Sequence, residues 1–555
     1  MSHPPLADAP YDLVVIGAGV NGLGITQDAT LRGLRVALLE QDDLCSGVSA
    51  WSGRLIHGGL RYLEQYDLRL VRESLRERER LFRLAPHLVK PIPFMVPFYR
   101  QNRRRPWLMR LGMLLYDVLS FDKSVPRHHV LSAEQALRRF PGMCPDGLLG
   151  AAVFFDGQVE YSERLCVELG VDAQTHGAAI CTHTRVDAPL MEEGRVVGVR
   201  CTDMLSGAQR QVYGRLVMNA AGPWIDRVLA APDVPAQPRL NGGTKGSHLI
   251  IGSFPGAPSD VVYYESQRDG RLVLVIPWTG RYLIGTTDIR FEEDPADARC
   301  DIGEAEYLLA EVNRLIPRAN LTVSDVLFTY SGVRPLPYKP DSAESSVPRS
   351  HVAFDHSQTG LPGLVTVVGG KFTTYRQLAE DTVDDAFRRL ARTSPPCPTR
   401  ERKLPGAQRG DPASLAGDFA ARTGLPEHSA LRLIRLYGSR ADEVWALAEQ
   451  TPDLRAMVGP ASGLIAAELI FAVQCELACT LTDVLARRVL LAFEADHGLS
   501  CLDQIVSIIG DHLRWDAGRR RSEVAQYRSW LERLAVPATT GPRSVSFGAG
   551  RASGR

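Results

Sequence analysis

The chain has 555 residues, 45% of them hydrophobic, enough for large cores and more than one domain. Lys+Arg and Asp+Glu are both 64, so no global positive field exists and nucleic acid is not an expected partner. The ten cysteines are scattered, which reads as reduced thiols with no metal site expected. Cys475 and Cys479, the one close pair, are expected on a single helix face.

The opening MSHPPLADAP lacks the charged and apolar regions of a secretory signal, and residues 1–10 read as an extension. Residues 11–40, YDLVVIGAGVNGLGITQDATLRGLRVALLE, form a predicted strand, a glycine turn, a helix and a second strand. This is G-x-G-x-x-G in its required setting. Gly17 allows the tight turn, Gly19 admits a pyrophosphate close to the backbone, and Gly22 lets helix and strand pack. The helix N-terminus offers free N–H groups to the phosphates. Glu40, about 20 residues on, suits a ribose 2′-hydroxyl and repels a 2′-phosphate. These features predict an adenine dinucleotide and leave FAD or NAD open.

A small-residue loop over 45–59 follows. Residues 68–85 predict a surface helix with Leu68, Val71, Leu75 and Phe82 on one stripe, a Glu79–Arg83 pair, and a solvated charged face. Residues 100–121, RQNRRRPWLMRLGMLLYDVLSF, set Arg100, Arg103, Arg104, Arg105 and Arg110 beside Trp107 and a run of Leu and Met. Such a basic amphipathic segment suits the headgroup layer of an anionic membrane. No apolar run reaches the length of about 18 residues that a spanning helix needs; the best candidate, 456–478, reads as a core helix. Residues 195–201 look strand-like. Residues 216–224, LVMNAAGPW, read as a strand returning to the first sheet, with Ala221 and Gly222 at its end. RLVLVIPW and RYLIGTTD, separated by Thr279-Gly280, predict an antiparallel hairpin in a separate sheet. LVTVVGGK (364–371) repeats strand, glycines and helix, with the helix beginning near Thr373. A discontinuous cofactor fold is therefore expected, followed by a linker over 393–405, a helical region, and a Gly/Ser/Arg/Pro-rich tail read as disordered.

A second complete G-x-G-x-x-G is not found, so the substrate, rather than a nicotinamide, is the expected reductant. His57, Arg61 and Tyr62 in LIHGGLRYLE, Arg334 in TYSGVRP, and Lys371 in GGKFTT supply an arginine fork, a point charge and a helix N-terminus. Together these are the elements of a phosphate-dianion site.

The segments IGAGVNGLG, LIHGGLRYLE, NAAGPW, KGSH, IPW, IGTTD, TYSGVRPL and GGKFTTYRQLAED occur in this order. Over roughly residues 10–535 the chain resembles the FAD-dependent, quinone-linked glycerol-3-phosphate dehydrogenases of the D-amino-acid-oxidase-like superfamily. The resemblance implies an α/β chain: a discontinuous Rossmann-like FAD-binding domain (11–395, mainly 11–85, 150–235 and 350–390) carrying inserted antiparallel substrate-binding segments (86–149 and 236–349). A helical C-terminal domain (396–535) and a tail (536–555) follow. It implies hydride removal from glycerol 3-phosphate to FAD, with electrons passed to a membrane quinone. Arg61, Tyr62, Arg334, Lys371 and Thr373 would bind substrate. His57 or His248 would take the hydroxyl proton, and the residues leave that choice open. Gly17, Gly19, Gly22, Glu40, Ser49, Ser52, Arg54, His57, Ala221, Gly222, Gly369, Gly370 and Lys371 would hold FAD. Family members carry Ser/Thr and a lysine just before LIHGG; here the segment reads VSAWSGR, with Trp51 and Gly53 departing. A cytoplasmic protein attached to the inner face of the cell membrane is implied. A homodimer is compatible with the chain, and its C-terminal region is read as a cap, an oligomer contact or a docking surface. An O₂-using glycerol-phosphate oxidase, an amine or amino-acid oxidase, and a non-catalytic flavin scaffold are the alternatives.

Overall fold

A computed structural model describes residues 9–59, 67–232, 234–339, 350–459 and 462–538. Two sheets and a helical C-terminal region organise them. In the first sheet, Tyr11–Ile16 pairs in parallel with Val36–Leu39 on one side and Gln209–Asn219 on the other. Leu364–Val368 then adds in parallel to Gln209–Asn219, and Ala179–Cys181 to Val36–Leu39. These strands are buried on both faces, as continuous Val/Ile/Leu runs require. Strand order leaves Tyr11–Ile16 in opposite directions, which opens a crevice beyond its carboxyl end. The expected return of residues 216 and 364 to the first sheet is thus observed.

The second sheet has ten strands. It is antiparallel except where Val261–Glu265 runs parallel to Val89–Tyr99. The predicted hairpin joins Leu272–Trp278 to Arg281–Gly285 in the register Trp278↔Arg281. Its turn residues, Thr279 and Gly280, have φ of 48° and 78°, as a tight hairpin turn demands. Thr244–Ile251 pairs with both Arg281–Gly285 and Val326–Arg334, bringing His248, Thr286 and Arg334 together.

Three sequence expectations change. Leu68–Leu84 is a helix, but Glu77, Arg78 and Glu79 are buried; Glu79 accepts from Arg78 and Ser124, and Leu68 is exposed. Partners supplied from Asp156 and Arg376 explain that burial. The expected helix over 456–478 is confined to Ala466–Cys475, preceded by two short paired strands. Cys479 therefore leaves the helix, and Cys475 is exposed. The remaining C-terminal region is helical, from Pro412–Thr423 to Ala517–Leu531. No helix among the described residues is long and apolar enough to cross a membrane. Most of the tail, from residue 539, lies outside the described residues, as do residues 1–8 of the extension.

Candidate active site

A cleft of about 640 Å³ lies between the two sheets. The first sheet contributes the glycine turn. Gly17 has φ +101°, and a Cβ there would meet the Ala220 carbonyl oxygen at 2.8 Å. A Cβ on Gly22 would fall 1.9 Å from the Gly17 oxygen, so helix Val20–Leu31 approaches its own entry turn as only glycine permits. Ser49 Oγ accepts the Val20 N–H at 3.0 Å, placing the loop over residues 46–53 against the helix N-terminus. Ser52 also lines the cleft and accepts the Arg54 N–H.

Glu40 ends the second strand. Its Oε2 accepts from Ala18 N–H at 2.7 Å, and its Oε1 from Asp42 N–H at 2.9 Å. Burial pushes its carboxyl up to about 7, against those two hydrogen bonds. Beside it, residues 184–187 line the same part of the cleft, and Ala221 and Gly222 line its wall. Gly369 and Gly370 have φ of 81° and 90°. Asn21 Nδ2 donates to the Gly369 carbonyl at 3.3 Å, while Asn21 Oδ1 is buried without a partner. The two glycine turns therefore meet at the first helix, and this elongated cradle of glycines, hydroxyls and one ribose-type acid fits FAD.

The second sheet contributes polar chemistry. Glycines opposite each key side chain make the room: a Cβ on Gly246 would lie 2.0 Å from Arg334 Nη2, and one on Gly285 would lie 2.4 Å from His248 Cδ2. Arg334 donates to Asp288 Oδ1 at 2.9 Å and to Thr286 Oγ1 at 3.0 Å. His248 is buried against Tyr330, with ring centroids 5.0 Å apart, and its Nδ1 has no partner. Burial, then the charges of Arg334 and Arg54, lower its imidazole to about 3, so it is neutral at physiological pH. Lys371 Nζ donates to Ser74 Oγ at 3.0 Å and borders the cleft. His57 also borders it. Its N–H is accepted by Thr373 Oγ1 at 3.1 Å, so Thr373 holds the histidine loop as well as facing the cleft.

One expected contact is overturned. Arg54 does not line the cleft; its guanidinium grips Glu163 at 2.7 and 2.8 Å and stacks on Trp278. Trp51, the departure before LIHGG, is likewise buried and packs on Tyr330 and Trp530, joining the loop to the last helix. Gly53 faces His248, where a Cβ would sit 3.7 Å from Nε2. Arg61 and Tyr62 lie outside the described residues.

Sequence reasoning missed three elements. Arg271 lines the cleft; its Nη2 donates to the Asp288 carbonyl at 2.7 Å, and its Nη1 is buried with no partner. The signal was its place at the head of the inward strand RLVLVIPW. Asp288, in the IGTTD segment, gives its carboxylate to Arg334 and its backbone carbonyl to Arg271, whose Nε pairs with Asp269. Tyr116 OH donates to Asp156 at 2.7 Å and accepts the Gly58 N–H at 3.0 Å, pinning the residue after His57.

The FAD dependent oxidoreductase family matches residues 12–376, and the C-terminal domain of alpha-glycerophosphate oxidase matches residues 397–520. The chain is 43% identical over 549 residues to a Synechocystis glycerol-3-phosphate dehydrogenase, covering 97% of this chain and 99% of the relative. It is 30% identical to the aerobic glycerol-3-phosphate dehydrogenase of Bacillus subtilis, covering 95% and 96%. The solved glycerol-3-phosphate dehydrogenase of Bacillus halodurans, complexed with FAD, superposes with a TM-score of 0.77 at 26% identity, covering 97% of each chain. With its glycine cradle and this full-length similarity, the chain belongs to the FAD-dependent glycerol-3-phosphate dehydrogenase family.

Proposed function

We propose that the protein oxidises sn-glycerol 3-phosphate to dihydroxyacetone phosphate and delivers the electrons to a membrane quinone. The observation that carries this reading is the convergence of Arg271, Arg334 and Lys371 on a cleft that also bears the dinucleotide cradle. Three separated cations exceed the need of one amino-acid carboxylate and suit a phosphate dianion. Arg334 supplies the planar fork and Arg271 the unpartnered N–H of its Nη1; Arg61 and Tyr62, which follow His57 in the sequence, are assigned to the same set on the family resemblance alone. Gly17, Gly19, Gly22, Ser49, Ser52, Ala221, Gly222, Gly369 and Gly370 would hold FAD, with Glu40 accepting from its ribose. Bound FAD supplies the two-electron acceptor.

His248 is our choice for the base. Its neutral ring can accept the proton of the substrate hydroxyl; burial first, then the charges of Arg334 and Arg54, depress its basicity, and a phosphate dianion offsets the Arg334 part. His57, held from both sides through its own N–H and that of Gly58, orients the alcohol. Lys371 stabilises negative charge developing beside it.

The quinone reading rests on helix Pro106–Leu119. Trp107, Leu108, Leu111, Leu114 and Val118 are exposed along it, and Phe121 beyond it is 77% exposed. Arg103, Arg105 and Arg110 flank that face and are exposed, whereas Arg104 is tied to Glu265. This face suits peripheral attachment to an anionic membrane. Replacing Arg103, Arg105 and Arg110 with Glu is expected to release the protein from anionic vesicles in a flotation assay; undiminished binding refutes the attachment. The acceptor is tested by stopped flow on substrate-reduced enzyme. Reoxidation by a soluble quinone is expected to outpace that by O₂, and the reverse order favours an oxidase.

A further inference from the structure

Among the described residues the C-terminal helical region carries no cleft-lining residue, yet it reaches the segment that holds Glu40. Residues 40–43 and 181–184 lie side by side. Glu40 N–H donates to the Cys181 carbonyl, Thr184 N–H to the Glu40 carbonyl, and His183 N–H to the Asp42 carbonyl. Asp42 N–H also holds Glu40 Oε1. The side chains of Asp42, Asp43, Thr182 and His183 meet the C-terminal region. Arg488 grips Asp43 with two bonds of 2.6 and 2.8 Å, both side chains fully buried, and its Nε donates to the Glu476 carbonyl. Arg487 lies 3.5 Å from Asp42, 3.6 Å from Asp43 and 3.6 Å from Asp483. His183 Nε2 meets Asp483 Oδ2 at 2.9 Å.

Asp42, His183 and Asp483 have the composition of a metal site, with ligand atoms within 4.8 Å of one another. Two guanidiniums already serve these carboxylates and Asp43. Burial opposes charge on His183, but Asp483 outweighs it and holds the imidazole up at about 9. Arg487, Arg488 and His183 thus sit among Asp42, Asp43 and Asp483. Arg487 and Arg488 close a π-helical turn, Val484–Arg488, a geometry frequent at functional sites.

We propose that Arg487, Arg488 and Asp483 are positioning residues that fix Glu40 for the FAD ribose, so that docking of the C-terminal region and FAD affinity are thermodynamically linked. By reciprocity, FAD tightens the docking as much as the docking tightens FAD. The inference rests on Glu40 as the ribose acceptor, and its test separates the two.

Apoprotein is titrated with FAD, followed by flavin fluorescence, well below the melting transition, for Arg488→Met, Glu40→Ala and the double variant. Each single change is expected to raise the Kd roughly 10- to 100-fold, the size of loss seen when an outer-shell partner is removed. The double variant is expected to lose little beyond Glu40→Ala alone, because both act through one carboxylate. Asp43→Asn with Arg488→Met removes the pair without leaving a buried charge, and guards against a folding defect; its Kd is expected to rise as for Arg488→Met. Arg422→Ala, at an exposed pair with Asp442 in the same region, is expected to leave the Kd unchanged. An unchanged Kd for Glu40→Ala overturns the ribose assignment and the clamp with it. Loss in Glu40→Ala with an unchanged Kd in Arg488→Met, or additive losses in the double variant, overturns the clamp alone.

Discussion

Arg334→Met is expected to lower kcat/KM for glycerol 3-phosphate about a thousandfold while the protein still carries FAD. The methionine keeps the stem that crosses Gly246 but removes the fork that meets Asp288 and Thr286. Asp288 then faces the substrate phosphate with its Arg334 partner gone, so lost attraction and new repulsion act together. A hydrogen bond to a charged group contributes about 1.5–3 kcal/mol, so losing two directed N–H groups costs about 4 kcal/mol, close to three factors of ten in rate. Lysine at this position is expected to recover a minor part, because a point charge cannot reproduce two directed N–H bonds. Steady-state kinetics with the flavin spectrum as the loading control measures both. A loss under tenfold removes Arg334 from the phosphate site.

Gly22→Ala is expected to yield protein with little or no bound FAD. The added methyl carbon would stand 1.9 Å from the Gly17 carbonyl oxygen, and that oxygen cannot retreat easily. Gly17 holds φ +101° and itself lies against Ala220, just beyond the neighbouring strand. The helix must shift outward, which moves the N–H groups meant for the pyrophosphate and disturbs the strand packing by about 1–3 kcal/mol. Gly112→Ala makes the comparison, since a Cβ there meets nothing within 4 Å. Flavin absorbance of the purified proteins decides the matter; full loading of the Gly22 variant contradicts the account.

Much of the cofactor half was legible because its signals are local. The turn at Gly17, the hairpin at Thr279-Gly280 and the return at Gly369-Gly370 each announce a backbone conformation within a few residues. The region around residue 216 was placed by its apolar run, which suits a strand buried on both faces. The site's side chains were harder to read. Arg54 sits in a loop that frames the cleft, yet its partner Glu163 lies 109 residues away, and no pattern near Arg54 reveals it. Glu77 and Arg78 read as solvated charges because the groups that neutralise them, Arg376 and Asp156, belong to distant elements. Arg271 escaped notice for the converse reason: flanked by Asp269 and Gly270, it resembles a turn residue until the hairpin aims it inward. The apolar run over 456–478 looked like one helix, but Gly459 and Gly463 adopt positive φ and Leu477 turns the chain at φ 63°. Composition reports burial there, not the break.

The C-terminal region illustrates the same limit. Its sequence offers arginines and acids at helical spacing, indistinguishable from surface pairs. Paired with Asp42, Asp43 and His183, they become part of the wall behind Glu40.

The central claim is that one cleft joins an FAD cradle to a site for a phosphorylated alcohol. Anaerobic titration of the oxidised holoenzyme with sn-glycerol 3-phosphate tests it most directly. The account predicts stoichiometric loss of the flavin's visible absorbance, with unphosphorylated glycerol leaving the spectrum unchanged at the same concentration. A flavin that stays oxidised, or one that glycerol bleaches equally well, contradicts it.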